Sequence, residues 1–131
     1  MKHPFFILGS AAAFLGVALG AFGAHSLKSS LSPEMLAVFE TAVRYQMYHS
    51  GALFVAGWAY ETYRSRVFLR AGWIFVAGIV LFSGSLYTLS LTGITSAGVI
   101  TPFGGLALLT GWLALAAGFW RLRNSNADKP L

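Results

Sequence analysis

Four apolar runs, each close to the roughly 20 residues a helix needs to cross a hydrocarbon core, dominate this 131-residue sequence. The first extends from about Pro4 to Ala24, the third from about Ala71 to Leu91 and the fourth from about Phe103 to Leu122. The first and third carry no charge, and the fourth none before Arg121. A chain this short has too much surface to hide such runs in a water-soluble core. Charged residues make up only 10% of it, against about 25% in an ordinary soluble domain. The lipid bilayer is the solvent that fits, and the expected fold is all-α, an integral membrane four-helix bundle.

The second run is less simple. Its clean apolar part, Gly51 to Tyr60, is too short to span unless the helix starts near Val38 and carries Glu40, Arg44, Gln46 and His49 with it. Ser32-Pro33-Glu34 is a helix-start signal, with an N-cap serine, proline at the first helical position and an acid in the first turn. A helix from that point would follow the outer interface and then enter the membrane, and the segment from Ser26 to Glu34 between the first two helices reads either as a compact outer loop or as an interfacial helix. Thr101-Pro102 opens the fourth helix by the same logic. The first run has the outline of a signal peptide, but it is long enough to span and is read as a retained helix.

Lys2, Arg64, Arg66, Arg70, Arg121, Arg123 and Lys129 fall on one side of this layout and only Lys28 and Arg44 on the other. The positive-inside rule therefore predicts both termini and the middle loop in the cytoplasm. The four spans, about 4–24, 38–60, 71–91 and 103–122, make one domain over residues 1–123, followed by a polar cytoplasmic tail, 124–131, expected to fray. The location implied is a bacterial inner membrane. The net charge of +5 comes from residues flanking the runs, not from a basic aqueous face with interleaved aromatics, so no nucleic-acid partner is expected.

Gly9, Gly16 and Gly23 recur every seven residues, as do Gly104, Gly111 and Gly118, and Gly16 with Gly20 forms a GxxxG. Small residues in a stripe let membrane helices approach closely. Packing within the bundle is the main expectation for them and a dimerisation face the lesser one.

The polar residues gather toward the outer ends of the runs: His25 on the first, Glu40, Arg44, Gln46 and His49 on the second, Ser83, Ser85, Tyr87, Thr88 and Ser90 on the third, Thr101 on the fourth. Ionisable groups in hydrocarbon are costly unless paired or hydrated, so this lopsidedness has a cause. Glu40 and Arg44 stand one turn apart in the favoured order for an ion pair, with Tyr48 continuing their stripe. Gln46 and His49 fall on roughly the opposite face, so one face meets interfacial water or a second subunit, and a homo-oligomer is favoured. His25 and His49 could jointly ligate haem or a metal, but without further ligands at suitable spacing a hydrogen bond between helices is the better expectation. The serines are expected to bond to helix carbonyls or to His49. The chain has no cysteine, no nucleotide loop, no serine-nucleophile motif and no metal-ligand cluster, so no catalytic residue, metal or cofactor is expected.

The stretches GAFGAH (Gly20–His25), YQMYH (Tyr45–His49), FSGSLY (Phe82–Tyr87) and TPFGG (Thr101–Gly105) resemble the hallmark motifs of the YgdD/YwdK-like small inner-membrane proteins. This is a domain-of-unknown-function family, and the similarity runs from about Gly9 to Trp120. The resemblance implies a four-helix membrane protein and supplies no activity or catalytic residue. The leading expectation is a non-enzymatic accessory or structural membrane component that self-associates, with a membrane-protein partner possible. The alternatives are binding or transport of a small solute through the outer polar pocket, and a histidine-ligated haem or metal protein.

Overall fold

The computed structural model describes residues 3–127, which form four helices. Helix α1 (Pro4–Phe22) continues through one π-helical turn (Gly23–Leu27), and α2 (Pro33–Tyr63) and α3 (Arg66–Thr92) follow. A 3₁₀ turn (Thr95–Val99) leads into α4 (Thr101–Ala127). Lys2 and Lys129, counted above for orientation, lie outside the described residues, as do residues 128–131 of the tail.

Local chemistry sets the helix ends. Ser32 caps α2, its Oγ accepting from the Met35 N–H at 3.2 Å, with Pro33 in the first turn. No separate interfacial helix precedes it: residues 28–32 form the connection, and α2 is continuous from Pro33. Its 31 residues measure about 46 Å at 1.5 Å per residue, more than a hydrocarbon core of about 30 Å. Arg64 closes α2 in the left-handed region (φ 53°), its N–H bonded to the Tyr60 carbonyl at 2.9 Å. Gly93 closes α3 in the same way at φ 71°, the usual device for satisfying a terminal carbonyl. The tail expected to fray from Asn124 instead extends α4 through Ala127.

α1 packs on α2, α2 on α3 and α3 on α4. The two glycine stripes are the sockets for this packing. Gly104, Gly111 and Gly118 face Phe82, Phe75 and Phe68, also spaced by sevens on the antiparallel helix. A Cβ added to Gly104 would lie 2.3 Å from the Phe82 backbone nitrogen, and one on Gly111 or Gly118 would be 2.6 Å from a phenylalanine ring. On α1, Gly9, Gly16 and Gly23 receive Phe54, Met47 and Phe39, while Gly20 is in ordinary contact with Val43. At the end formed by the start of α1, the Phe5 ring fills the space over Gly72 of α3. Phe5, Leu53, Phe68, Phe75, Leu108 and Leu115 belong to the resulting core. Each of the six heptad-spaced glycines thus faces a side chain or backbone of the neighbouring helix.

The outside of the bundle is also apolar. Ile7, Phe14 and Leu113 are each more than 70% exposed, a surface that needs lipid around it. Pro4–Leu27, Arg66–Thr92 and Thr95–Ser125 are long and apolar enough to cross a membrane. α2 is long enough but not among these three, because of the polar residues in its first half.

Two substitutions separate a socket from open space. Gly104→Ala forces two helix backbones apart and should cost about 1–3 kcal/mol of stability, the range for overpacking. Gly84 has nothing within 4 Å of the position an added methyl group would take, so Gly84→Ala should be neutral or stabilising by up to about 1 kcal/mol. Thermal unfolding in detergent micelles measures both, and equal effects would refute the distinction.

Candidate functional site

The polar residues of the first half of α2, the second half of α3 and the start of α4 form a belt that ties the four helices together. Gln46 of α2 is 6% exposed. Its Nε2 donates to the Ala12 carbonyl of α1 at 2.8 Å, and its Oε1 accepts from the Tyr87 hydroxyl of α3 at 2.9 Å. The amide orientation follows, since a carbonyl only accepts. Ser83 Oγ, fully buried on α3, donates to the Ala42 carbonyl of α2 at 2.8 Å. Ser85 Oγ donates to the Phe82 carbonyl at 2.9 Å and lies 2.7 Å from Thr101 Oγ1 at the start of α4. With the Ser85 proton so used, Thr101 is the donor between them.

His49, 5% exposed, closes the belt. Its Nδ1 is 2.6 Å from the Tyr45 carbonyl, and its Nε2 is 3.1 Å from the indole Nε1 of Trp112 on α4. The carbonyl accepts and the indole donates, so the neutral Nδ1–H tautomer satisfies both. The ring also lies among Tyr45, Phe75 and Trp112. The serines therefore bond to carbonyls and to Thr101, and neither bonds to His49. Thr88 and Ser90 bond back to carbonyls of their own helix. Among the described residues, no buried side-chain nitrogen or oxygen lacks a partner.

Three of the sequence-selected residues stand apart. His25 is exposed in the π-helical turn. Its neighbour Gly23 packs on Phe39, ten residues along α2 from His49 and so about 15 Å away along the helix axis. The two histidines do not converge. Glu40 and Arg44 are both exposed on α2, and no hydrogen bond or ion pair joins them among the described residues. Among those residues, no three His, Cys, Asp or Glu side chains come together as metal ligands would.

Sequence reasoning missed two members of the polar framework. Trp112 lies within a run that reads as plain apolar helix, and its one signal is an indole N–H that needs an acceptor. At the opposite end of the bundle, Glu61 accepts from the His3 backbone N–H at 2.8 Å, and the His3 ring packs edge-on against Tyr60.

One cavity of about 470 Å³ borders the belt. Leu8, Ala11, Ala12, Leu15 and Leu19 of α1 form one wall and Val76, Ile79, Val80 and Gly84 of α3 the other. Gln46 and Leu53 are its floor, and His49 does not line it. Its polar lining residues, Gln46, Ser83 and Tyr87, are the ones already bonded to protein groups. The cavity is thus an apolar recess on the bundle's flank, its rim residues Leu15 and Val80 exposed.

The comparisons with known proteins agree with this architecture. Residues 19–105 match the model of a family described as a protein of unknown function, DUF423. The chain is 46% identical over 118 residues to a UPF0382 membrane protein of Staphylococcus saprophyticus, covering 90% of this chain and 98% of the relative. It is 46% identical over 112 residues to the UPF0382 membrane protein YwdK of Bacillus subtilis, covering 85% and 91%. A Staphylococcus haemolyticus relative is 48% identical over 111 residues, covering 85% and 90%. No solved structure matches the chain.

The belt's energetic role can be measured at its α2–α4 link. In a double-mutant cycle with His49→Phe and Trp112→Phe, the coupling should fall at about 0.6–1.7 kcal/mol, the range found for hydrogen bonds between membrane helices. A coupling of zero by thermal unfolding in micelles would mean that the two rings merely touch.

Proposed function

The chain belongs to the DUF423 family and is a relative of bacterial UPF0382 membrane proteins, and from that premise we propose that it is a non-enzymatic accessory component of the bacterial inner membrane that self-associates. The observation that carries this reading is the closed hydrogen bonding of the belt. Every buried polar side-chain atom among the described residues is used to join helix to helix or to cap a carbonyl, and a group so engaged is not free to bind or transform a substrate. An unsatisfied polar group in hydrocarbon costs several kcal/mol, which accounts for the belt without a ligand.

In this reading all four helices cross the bilayer, α2 within the bundle, and both termini face the cytoplasm. Support comes from the charge asymmetry, since Arg64, Arg66, Arg70, Arg121 and Arg123 lie at one end and Lys28 at the other. The antiparallel packing of successive helices agrees with it. Passage of a small polar solute is the weaker reading, because the cavity of about 470 Å³ beside the belt is walled by aliphatic side chains.

The chain has no cysteine, so single introduced thiols report topology without background. Ser29→Cys and Ser96→Cys should react with a membrane-impermeant maleimide on whole spheroplasts, and Ser125→Cys only after lysis. Labelling of the Ser125 position in intact spheroplasts, with protection at Ser96, would mean that α2 does not cross. For function, native mass spectrometry after gentle extraction should give a defined homo-oligomer or a stoichiometric membrane-protein complex. A bare monomer that retains a small molecule would overturn the accessory reading in favour of binding.

A further inference from the structure

The belt and the glycine sockets account for the inward faces of the helices but leave one outward face unexplained. Along α2, Glu40, Arg44, Tyr48, Gly51, Val55 and Trp58 are all exposed. Their spacing of four, four, three, four and three residues averages about 3.6, the period of the helix itself, so they line up in a single seam along one face. Tyr48 is 60% exposed and Trp58 48%. The outward faces of α1 and α4, with Ile7, Phe14, Leu109 and Leu113, are aliphatic and aromatic and suit lipid. The α2 face differs from them in carrying both charges and a bare glycine.

Depth makes that difference costly. Val43 touches Gly20, which lies seven residues inside the outer end of the α1 span, Pro4–Leu27. Arg44 is therefore about 10 Å inward from that end along the helix axis. An ionisable group at such a level normally faces a bundle interior or another protein surface. Here it faces outward, and its i−4 neighbour Glu40 does not pair with it. The glycine stripes of α1 and α4, the usual means of association, are already filled by the side chains of Phe39, Met47, Phe54, Phe68 and Phe75 and, at Gly104, by the backbone at Phe82 of this same chain. Gly51 is the glycine at the middle of the exposed seam, with nothing within 4 Å of the position a Cβ would take.

We propose that this seam of α2 is the self-association interface, covered by the same seam of a second copy about a two-fold axis along the membrane normal. The inference rests on the self-association reading above and gives it a surface. Two copies with the same orientation in the membrane bring their α2 helices together in parallel. In such a parallel pair equal-numbered residues lie level, and Glu40 and Arg44 are one turn apart, about 6 Å along the axis, so each copy's acid reaches diagonally to the partner's Arg44 and each arginine to the partner's Glu40. The surface is self-complementary in charge, as an isologous contact requires, and both charges leave the lipid. Gly51 lets the two backbones approach at the centre of the seam.

Two measurements test it in whole membranes. In the otherwise thiol-free chain, Gly51→Cys should form a disulfide-linked dimer on mild oxidation, and Leu109→Cys, exposed on α4, should remain monomeric. For the charges, Glu40→Arg and Arg44→Glu place four like charges in a homodimer. Each should weaken association roughly tenfold or more, in line with like-charge repulsion across an interface. Co-expressed under different tags, the two variant chains should recover each other as a heterodimer, because the mixed pair restores two oppositely charged contacts. Cross-linking at the Leu109 position but not at Gly51 would overturn this interface while leaving self-association standing. Wild-type association by both charge variants would overturn the ion pairs, and a monomer under every condition would overturn both this inference and the reading it rests on.

Discussion

The bundle depends on the fit between glycines on its outer helices and large side chains on its inner ones. In lipid there is no hydrophobic gain from pressing one apolar helix against another, so association relies on close contact and interhelical hydrogen bonds. Phenylalanines at positions 68, 75 and 82 meet glycines at 118, 111 and 104, and the shared seven-residue period fixes the register of α3 against α4. On the other side of the molecule, Phe39, Met47 and Phe54 seat α1 in the same fashion. A slip of one residue in either pair would set a ring against a side chain instead of a gap.

That register is what allows the polar belt to close. Ser85 reaches Thr101 three residues before the Gly104 socket, and Trp112 meets His49 one residue after Gly111. Gln46 reaches across to Ala12 next to Met47, which fills the Gly16 socket. Packing thus comes first and hydrogen bonding completes it. The buried polar atoms specify a unique arrangement, since any other pairing leaves some of them unsatisfied in a medium that cannot hydrate them.

Much of this was legible in the sequence. The three cleanly apolar runs, the Ser32 cap, the Pro102 start and the glycine periods all act through neighbours a few residues away, and such signals survive in a linear string. The separation of Gln46 and His49 from Glu40 and Arg44 follows from helical periodicity alone, whereas which of the two faces is buried does not. What was not legible depended on which helix stands beside which. Nothing in the sequence around Trp112 marks it as the partner of a histidine 63 residues away. Nor does the sequence show that His25 is exposed in a π-helical turn, away from that histidine. The helical continuation past Asn124 was missed because polar composition reads as fraying when neighbours are ignored.

The uneven composition of α2 also bears on how the molecule is made. Three of the helices are apolar enough to enter a bilayer as single segments, and α2 is not. An arginine or aspartate at mid-helix raises the cost of insertion by about 2.5–3.5 kcal/mol on the biological scale, and α2 carries an arginine, a glutamate, a glutamine and a histidine within ten residues. In the proposed topology its partition into the membrane depends on the company it keeps, with Ala12 and Trp112 taking up its hydrogen-bonding groups. During synthesis α2 emerges before α3 and α4, so in that topology it would wait at the membrane surface or within the insertion machinery until those helices arrive. Its biogenesis would then be a concerted event over most of the chain's length, not a sequence of four independent insertions.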